Sequence, residues 1–166
     1  MVRWRSPAIA AAPSASASAR VSNSTLEART TGMFTVAEIE VADELLDTFL
    51  HNPDQKDYQI FVACQESRLC GYVCFGPTPA TEATFDLYWI AVDPELQGQG
   101  IGKQLLRFAE QECQNLGAKL LIIETSSKEL YRPTQAFYLH NGYQIEARIK
   151  DFYATGDDRL IFTRRF

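Results

Sequence analysis

Three glycines at alternate positions, Gly98, Gly100 and Gly102, lie within Val92-Asp93-Pro94-Glu95-Leu96-Gln97-Gly98-Gln99-Gly100-Ile101-Gly102-Lys103. A strand-like run from Phe85 to Val92 precedes them, and a helical run from Gln104 to Leu116 follows. A strand ending near proline, then glycines, then a helix start is a place where backbone N–H groups converge on an anion. The first four N–H groups of a helix lack internal partners, and the helix dipole adds partial positive charge there. Gly100 and Gly102 remove the Cβ atoms that would hold a phosphate away. The chemistry this suits is the cradling of a phosphate-bearing molecule. The spacing excludes two nucleotide motifs. The dinucleotide fingerprint needs G-x-G-x-x-G, and these glycines fall one residue too close together. The P-loop needs Gly five residues before Gly102 and Ser or Thr after Lys103, and both positions, 97 and 104, are Gln.

Other side chains offer proton chemistry. Asp86 stands in the otherwise apolar run that leads to the cradle, six residues before Val92. A carboxylate there is costly unless it is paired or borders a wet cleft, so Asp86 is a candidate base, with an exposed strand start as the alternative. The two histidines, His51 and His140, are isolated from one another and from the cysteines, so no metal site is expected. Cys64, Cys70 and Cys74 fall in strand-like runs and Cys113 on the apolar stripe of a helix. They read as reduced residues of the core rather than a disulfide framework or a nucleophile.

Gln97-x-x-Gly100-x-Gly102, with Val92-x-Pro94 ahead of it, resembles the acetyl-CoA signature of the GNAT superfamily of N-acetyltransferases. The resemblance covers about residues 27 to 166. It implies a GNAT-like acyl-CoA N-acyltransferase fold, α/β, with a mixed central sheet flanked by helices. It implies acetyl-CoA as acyl-donor cosubstrate, with Gln97, Gly98, Gln99, Gly100, Ile101, Gly102 and Lys103 around its pyrophosphate. The backbone of Ile90 and Val92 would pair with the pantetheine arm, beside a splay between that strand and the one carrying Ile123. Phe137-Tyr138 followed by Gly142-Tyr143 resembles the family's F-Y-x-x-x-G-[FY] segment, which makes Tyr138 the general acid at the thioester sulfur. The alternative for Tyr138 is a core tyrosine on an amphipathic helix. Asp86 occupies the place of a catalytic glutamate in histone-type members. Glu124 occupies a place similar to the glutamate of ribosomal-protein N-terminal acetyltransferases, with a solvated strand end as its alternative. Many members carry Asn and Ala where this chain has Tyr131 and Thr134, which removes one expected side-chain contact to the cofactor. Arg148 to Tyr153, followed by Asp157-Asp158, loosely resembles a substrate-side segment of peptide acetyltransferases.

The elements that must position these residues follow from periodicity. Leu26 to Thr30 suggests a first strand. Thr35 with Glu38 forms a capping box that opens a helix reaching His51-Asn52-Pro53. Strands at Gln59 to Gln65 and Leu69 to Phe75 make a hairpin. Phe85 to Val92 is almost continuously apolar, which suggests a central strand. Ile101, Leu105, Phe108, Ala109, Cys113 and Leu116 give the next helix, with Gly117 as its stop. Strands at Lys119 to Glu124, Tyr143 to Lys150 and Arg159 to Thr163, with a short helix from Pro133 to His140, complete a β-α-β-β-β-α-β-α-β-β order.

At 166 residues the chain suits one domain from residue 26 to 166. Residues 1 to 25 are Ala/Ser-rich and free of acid, and a disordered tail is expected there. Cytoplasmic location is the expectation, with organellar import through that tail as the alternative. Beyond Leu26 the chain has 16 − 3 = 13 basic against 21 acidic side chains. That balance argues against nucleic acid, and no apolar run approaches a membrane span. The expected activity is direct acetyl transfer to a primary amine of a small molecule or peptide. The rival is a non-catalytic acyl-CoA-binding module. The resemblance also admits a homodimer.

Overall fold

In a computed structural model of the chain, residues 8–11, 52, 56–65 and 68–166 are described. The strand expected at Leu26 to Thr30, the capped helix after Thr35 and the boundary near residue 25 lie outside the described residues. Seven strands form one mixed sheet. They are β1 (Ala8–Ala11), β2 (Gln59–Gln65), β3 (Arg68–Pro77), β4 (Thr84–Val92), β5 (Leu120–Ser126), β6 (Gln144–Ala154) and β7 (Asp157–Arg165). Their order is β1-β2-β3-β4-β5-β7-β6, so β4 is the middle strand, as its apolar run predicts. Among the described residues the α-helices are α1 (Ile101–Asn115) and α2 (Arg132–His140). The α/β class with a mixed sheet is therefore as expected.

One segment departs from the sequence reading. Ala8–Ala11, inside the stretch expected to be disordered, is a strand paired antiparallel with β2, Ala8 opposite Cys64 and Ala11 opposite Phe61. An edge strand is held by backbone N–H and C=O groups, which every alanine carries. Hydropathy patterning cannot register that kind of pairing.

The described residues divide into two compact units. The first takes the chain up to Phe75 together with Trp89–Ala109. In it, Tyr58, Ile60, Val62, Tyr72 and Cys74 cluster on one face of the β2–β3 hairpin, with Trp89 and Ala91 against them. On the other face Phe61 stacks on Phe75 at 5.7 Å and meets Phe108 of α1 edge-on at 4.8 Å. Helix α1 buries Ile101, Leu105, Leu106, Ala109 and Cys113 and exposes Lys103, Arg107, Gln111 and Gln114, the amphipathic pattern its sequence predicts except that Leu116, past the helix end, is exposed. It stops where expected. Gly117 adopts φ +89°, its N–H donates to Gln114 O, and Ala118 N–H donates to Cys113 O, a Schellman end.

The second unit comprises Gly76–Tyr88 and Glu110–Phe166. Phe85 and Leu87 of β4, Leu121 and Ile123 of β5, and Leu160 and Phe162 of β7 are buried along one face. Tyr138 of α2 packs on that face against Phe162 (5.6 Å) and Tyr143 (5.8 Å). A buried polar cluster anchors the C-terminal part of α1. Glu110 accepts from the Tyr143 hydroxyl (3.0 Å) and from Arg164 Nη1 (2.8 Å), and Arg164 also donates to Asn141 O. Arg164→Ala would leave the Glu110 carboxylate buried without its cation, a cost of about 1–3 kcal/mol. Urea unfolding of the two proteins measures it, and an unchanged midpoint would show that the cluster adds nothing.

Strand β6 is the outer edge and is exposed along its whole length. Its hairpin with β7 is fixed by Asp158, which accepts from Asp151 N and pairs with Arg148. The Asp151 N–H, then the Arg148 guanidinium, hold the Asp158 carboxyl below the usual carboxylate range. A depressed folded-state pKa stabilises above the ordinary Asp value and is lost as pH falls through the lowered one. Unfolding midpoints should therefore drop on acidification below about pH 4, and less so in Asp158→Asn.

The cysteines follow the sequence reading with one difference. All four are free thiols; Cys70, Cys74 and Cys113 are buried but Cys64 is only half-buried. Burial pushes Cys74 and Cys113 up to about 12, which keeps both inert.

Candidate functional site

The glycine-rich segment folds as a turn that opens α1. Pro94–Leu96 is a single 3₁₀ turn, capped where Asp93 Oδ1 accepts from Glu95 N at 2.9 Å. Arg68 clamps it by pairing with Asp93 (2.7 Å) and Glu95 (2.6 Å). Gly98 and Gly100 then take φ +74° and +85°, conformations that a side chain strains. Among the described residues a Cβ at either would meet nothing within 4 Å, so that side of the loop is open to them. The first α-helical bond runs from Gln104 N to Gly100 O (3.1 Å), so the N–H groups of Ile101, Gly102 and Lys103 precede the internal ladder of α1. Gln97 turns back, its Nε2 3.4 Å from Val92 O, and Ile90 and Val92 are half-buried. Glycines at positive φ, open space and a helix N-terminus fit the pyrophosphate of a coenzyme.

The proton-chemistry candidates lie in the second unit and on two faces of its sheet. Asp86 is half-buried on β4, level with Ile122 of β5, and its Oδ2 accepts from Thr78 Oγ1 at 2.7 Å. Glu124 is the next residue but one along β5 on that same face, and it is exposed. Its carboxylate is ion-paired with Arg159 of β7. Tyr138 belongs to the opposite, buried face and is only 4% exposed. Burial pushes its phenol up, so it stays protonated through neutral pH. The last rung between β4 and β5 is Leu87 with Ile123, although β5 runs on to Ser126. Among the described residues no His/Cys/Asp/Glu group is arranged to hold a metal ion, and no helix is long and apolar enough to cross a membrane.

The model of the acetyltransferase (GNAT) domain family matches residues 56–145. An uncharacterised N-acetyltransferase of Bacillus subtilis is 30% identical over 132 residues, covering 74% of this chain and 82% of its own. The chain belongs to the GNAT family.

It is an acyltransferase whose cosubstrate is acetyl-CoA, and its GNAT fold is shared closely with solved relatives. A GNAT-family acetyltransferase structure from Desulfovibrio desulfuricans superposes with a TM-score of 0.86 at 38% identity, covering 95% of this chain and 98% of that one. A local match is to an aminoalkylphosphonate N-acetyltransferase of Salmonella typhimurium, 42% identical over 55 residues. It spans 33% of this chain and about a third (34%) of that enzyme's length.

Two residues of this GNAT domain escaped the sequence reading. Gly71 on β3 faces β4 so closely that a Cβ would lie 2.5 Å from Ala91 O and 3.2 Å from Val92 Cα. The available signal was a lone glycine inside a strand, which marks close backbone approach. Arg159 carried no signal, because its ion-pair partner Glu124 is far from it in sequence, although Phe152 lies just across the hairpin turn. Arg148, part of the loosely resembling substrate-side segment, is engaged with Asp158 inside the hairpin. Replacing Gly100 by Ala tests the cradle. The strained φ and the added methyl should weaken acetyl-CoA binding about tenfold in a calorimetric titration, with about 1 kcal/mol lost in stability.

Proposed function

We propose that the enzyme moves the acetyl group of acetyl-CoA directly to a primary amine of a small molecule or peptide, within one ternary complex. Acetyl-CoA supplies an activated thioester carbonyl. Gln97 to Lys103 hold the pyrophosphate through backbone N–H groups, and the Ile90 and Val92 backbone aligns the pantetheine arm. Much of the rate comes from holding amine and carbonyl in attack geometry. The new N–C bond forms as the C–S bond breaks. Tyr138 gives its phenolic proton to the departing sulfur, and the proton lost by the amine passes to Asp86 directly or through water.

The observation that carries this reading is the turn at Gly98 and Gly100, with positive φ and open space at the start of α1. Asp86 is favoured over Glu124 as base because Glu124 is already committed to Arg159, and an ion-paired carboxylate gives up its cation when it takes a proton. Among the described residues Asp86 pairs with a neutral hydroxyl, that of Thr78. A screen of amine acceptors that follows release of free coenzyme A tests the activity. The acceptor class of the Salmonella relative, an amine carrying a phosphonate, belongs in it beside polyamines and peptides. Binding of acetyl-CoA without thiol release across the screen would favour a binding module instead. Asp86→Asn should lower kcat/KM at pH 7 by about tenfold or more, with the deficit shrinking as pH rises and the free amine becomes abundant. A pH-independent deficit would remove Asp86 from the base role.

A further inference from the structure

The geometry points to Arg159 as the receiver of an acidic group on the acceptor, so that the preferred acceptor carries an anion as well as its amino group. This deepens the acetyl-transfer reading and rests on it. Arg159 stands on β7 opposite Ser126 of β5 and Ile149 of β6, on the sheet face that carries Asp86 and Glu124. Its side chain is 25% exposed. The ring of Phe152 lies 4.7 Å from its Cζ, a cation–π contact against the guanidinium.

The hydrogen bonding of that guanidinium is incomplete. Nε–H and Nη2 form one edge of the planar group, the edge that grips a two-oxygen anion with parallel bonds. Glu124 takes Nη2, while Nε is buried and has no hydrogen-bond partner among the described residues. A carboxylate or phosphonate that displaced Glu124 from this edge would satisfy both donors. Glu124, exposed, would then turn to water, leaving the amino group to Asp86. The surrounding face suits such a molecule. Exposed Ile149 and Phe152 of β6 flank Arg159 on the side away from Asp86, and exposed Tyr88 stands two residues beyond Asp86 on β4, so apolar surface borders both the basic and the acidic residue. The ammonium end belongs at Asp86 and the acidic end at Arg159. Lysine in place of Arg159 has no planar edge and no fixed second donor.

The test compares kcat/KM for paired acceptors of equal chain length, an aminoalkylphosphonate or ω-amino acid against the simple alkylamine, in the parent enzyme, Arg159→Lys and Arg159→Gln. The parent should favour the acidic acceptor by about tenfold or more. Arg159→Gln should bring that ratio close to one, chiefly through KM, and Arg159→Lys should fall between. A parent enzyme with no preference overturns the inference while leaving acetyl transfer intact, and so does a preference retained in Arg159→Gln. Circular dichroism melts establish that both variants fold. A calorimetric titration of the N-acetylated aminoalkylphosphonate into the coenzyme A complex gives a reading independent of turnover. Binding to the parent that Arg159→Gln weakens about tenfold supports the site, and equal binding or none overturns it. If no amine of any kind releases coenzyme A, the acetyl-transfer reading fails instead, and the titration still decides the anion site.

Discussion

Replacing Tyr138 by phenylalanine is expected to lower kcat about a hundredfold, while the dissociation constant for acetyl-CoA changes by less than about threefold. The phenol sits in an apolar setting made by Phe137, Tyr143 and Phe162, and burial keeps it protonated. Burial disfavours the phenolate, so the proton passes only as charge develops on the departing sulfur, and it is regained from solvent or from the acceptor after transfer. Phenylalanine preserves the ring contacts, so fold and cofactor binding persist and only the proton is missing. The rate of coenzyme A release, measured beside a calorimetric titration of acetyl-CoA, separates the two. Loss of affinity equal to the loss of rate would make Tyr138 a core residue and return the acid role to solvent. Because burial raises the phenol's pKa, kcat should also show no alkaline decline from this group below about pH 10.

A second large effect is expected from Gly71→Ala. The added methyl would stand 2.5 Å from Ala91 O, 3.1 Å from Leu105 Cδ1 and 3.2 Å from Val92 Cα. Leu105 can rotate away, but two of those three atoms are backbone. Strand β4 must therefore shift away from β3 at the residues proposed to align the pantetheine arm. Overpacking of this kind costs about 1–3 kcal/mol, and the displaced backbone should weaken acetyl-CoA binding about tenfold or more. Gly117→Ala is the control. It strains a positive φ at the end of α1 but meets no atom within 4 Å, so it should lower the melting temperature without touching affinity. If Gly71→Ala melts and binds acetyl-CoA like the parent, β3 and β4 do not approach as closely as described.

The residues differ in how much of their surroundings the chain order reveals. The glycine turn was legible because the turn, its glycines and the helix it opens are contiguous, and local backbone geometry alone favours glycine where φ is positive. The extents of β2, β4 and α1 were legible for the same reason, since periodicity reports which face of one element is buried. Tyr138 is singled out as the proposed acid by the Phe137-Tyr138 and Gly142-Tyr143 spacing, but that spacing does not reveal its packing on Phe162 of β7. Asp86 and Glu124 looked equivalent in sequence. They separate only because β7 brings Arg159 beside Glu124, whereas Thr78 folds back to Asp86.

The sequence by itself therefore determined the family, the cosubstrate and the glycine turn proposed to hold its phosphates, all matters of neighbouring residues and backbone conformation. Tertiary structure decided which carboxylate is held by a cation, and that Tyr138 and the two carboxylates occupy opposite faces of the sheet. It also decided that a lone glycine on β3 controls how closely β4 can approach. The physical reason is shared by all three. Electrostatic pairing and steric exclusion depend on distances between strands far apart in the chain, and strand order in a sheet is set by the whole core rather than by any one segment.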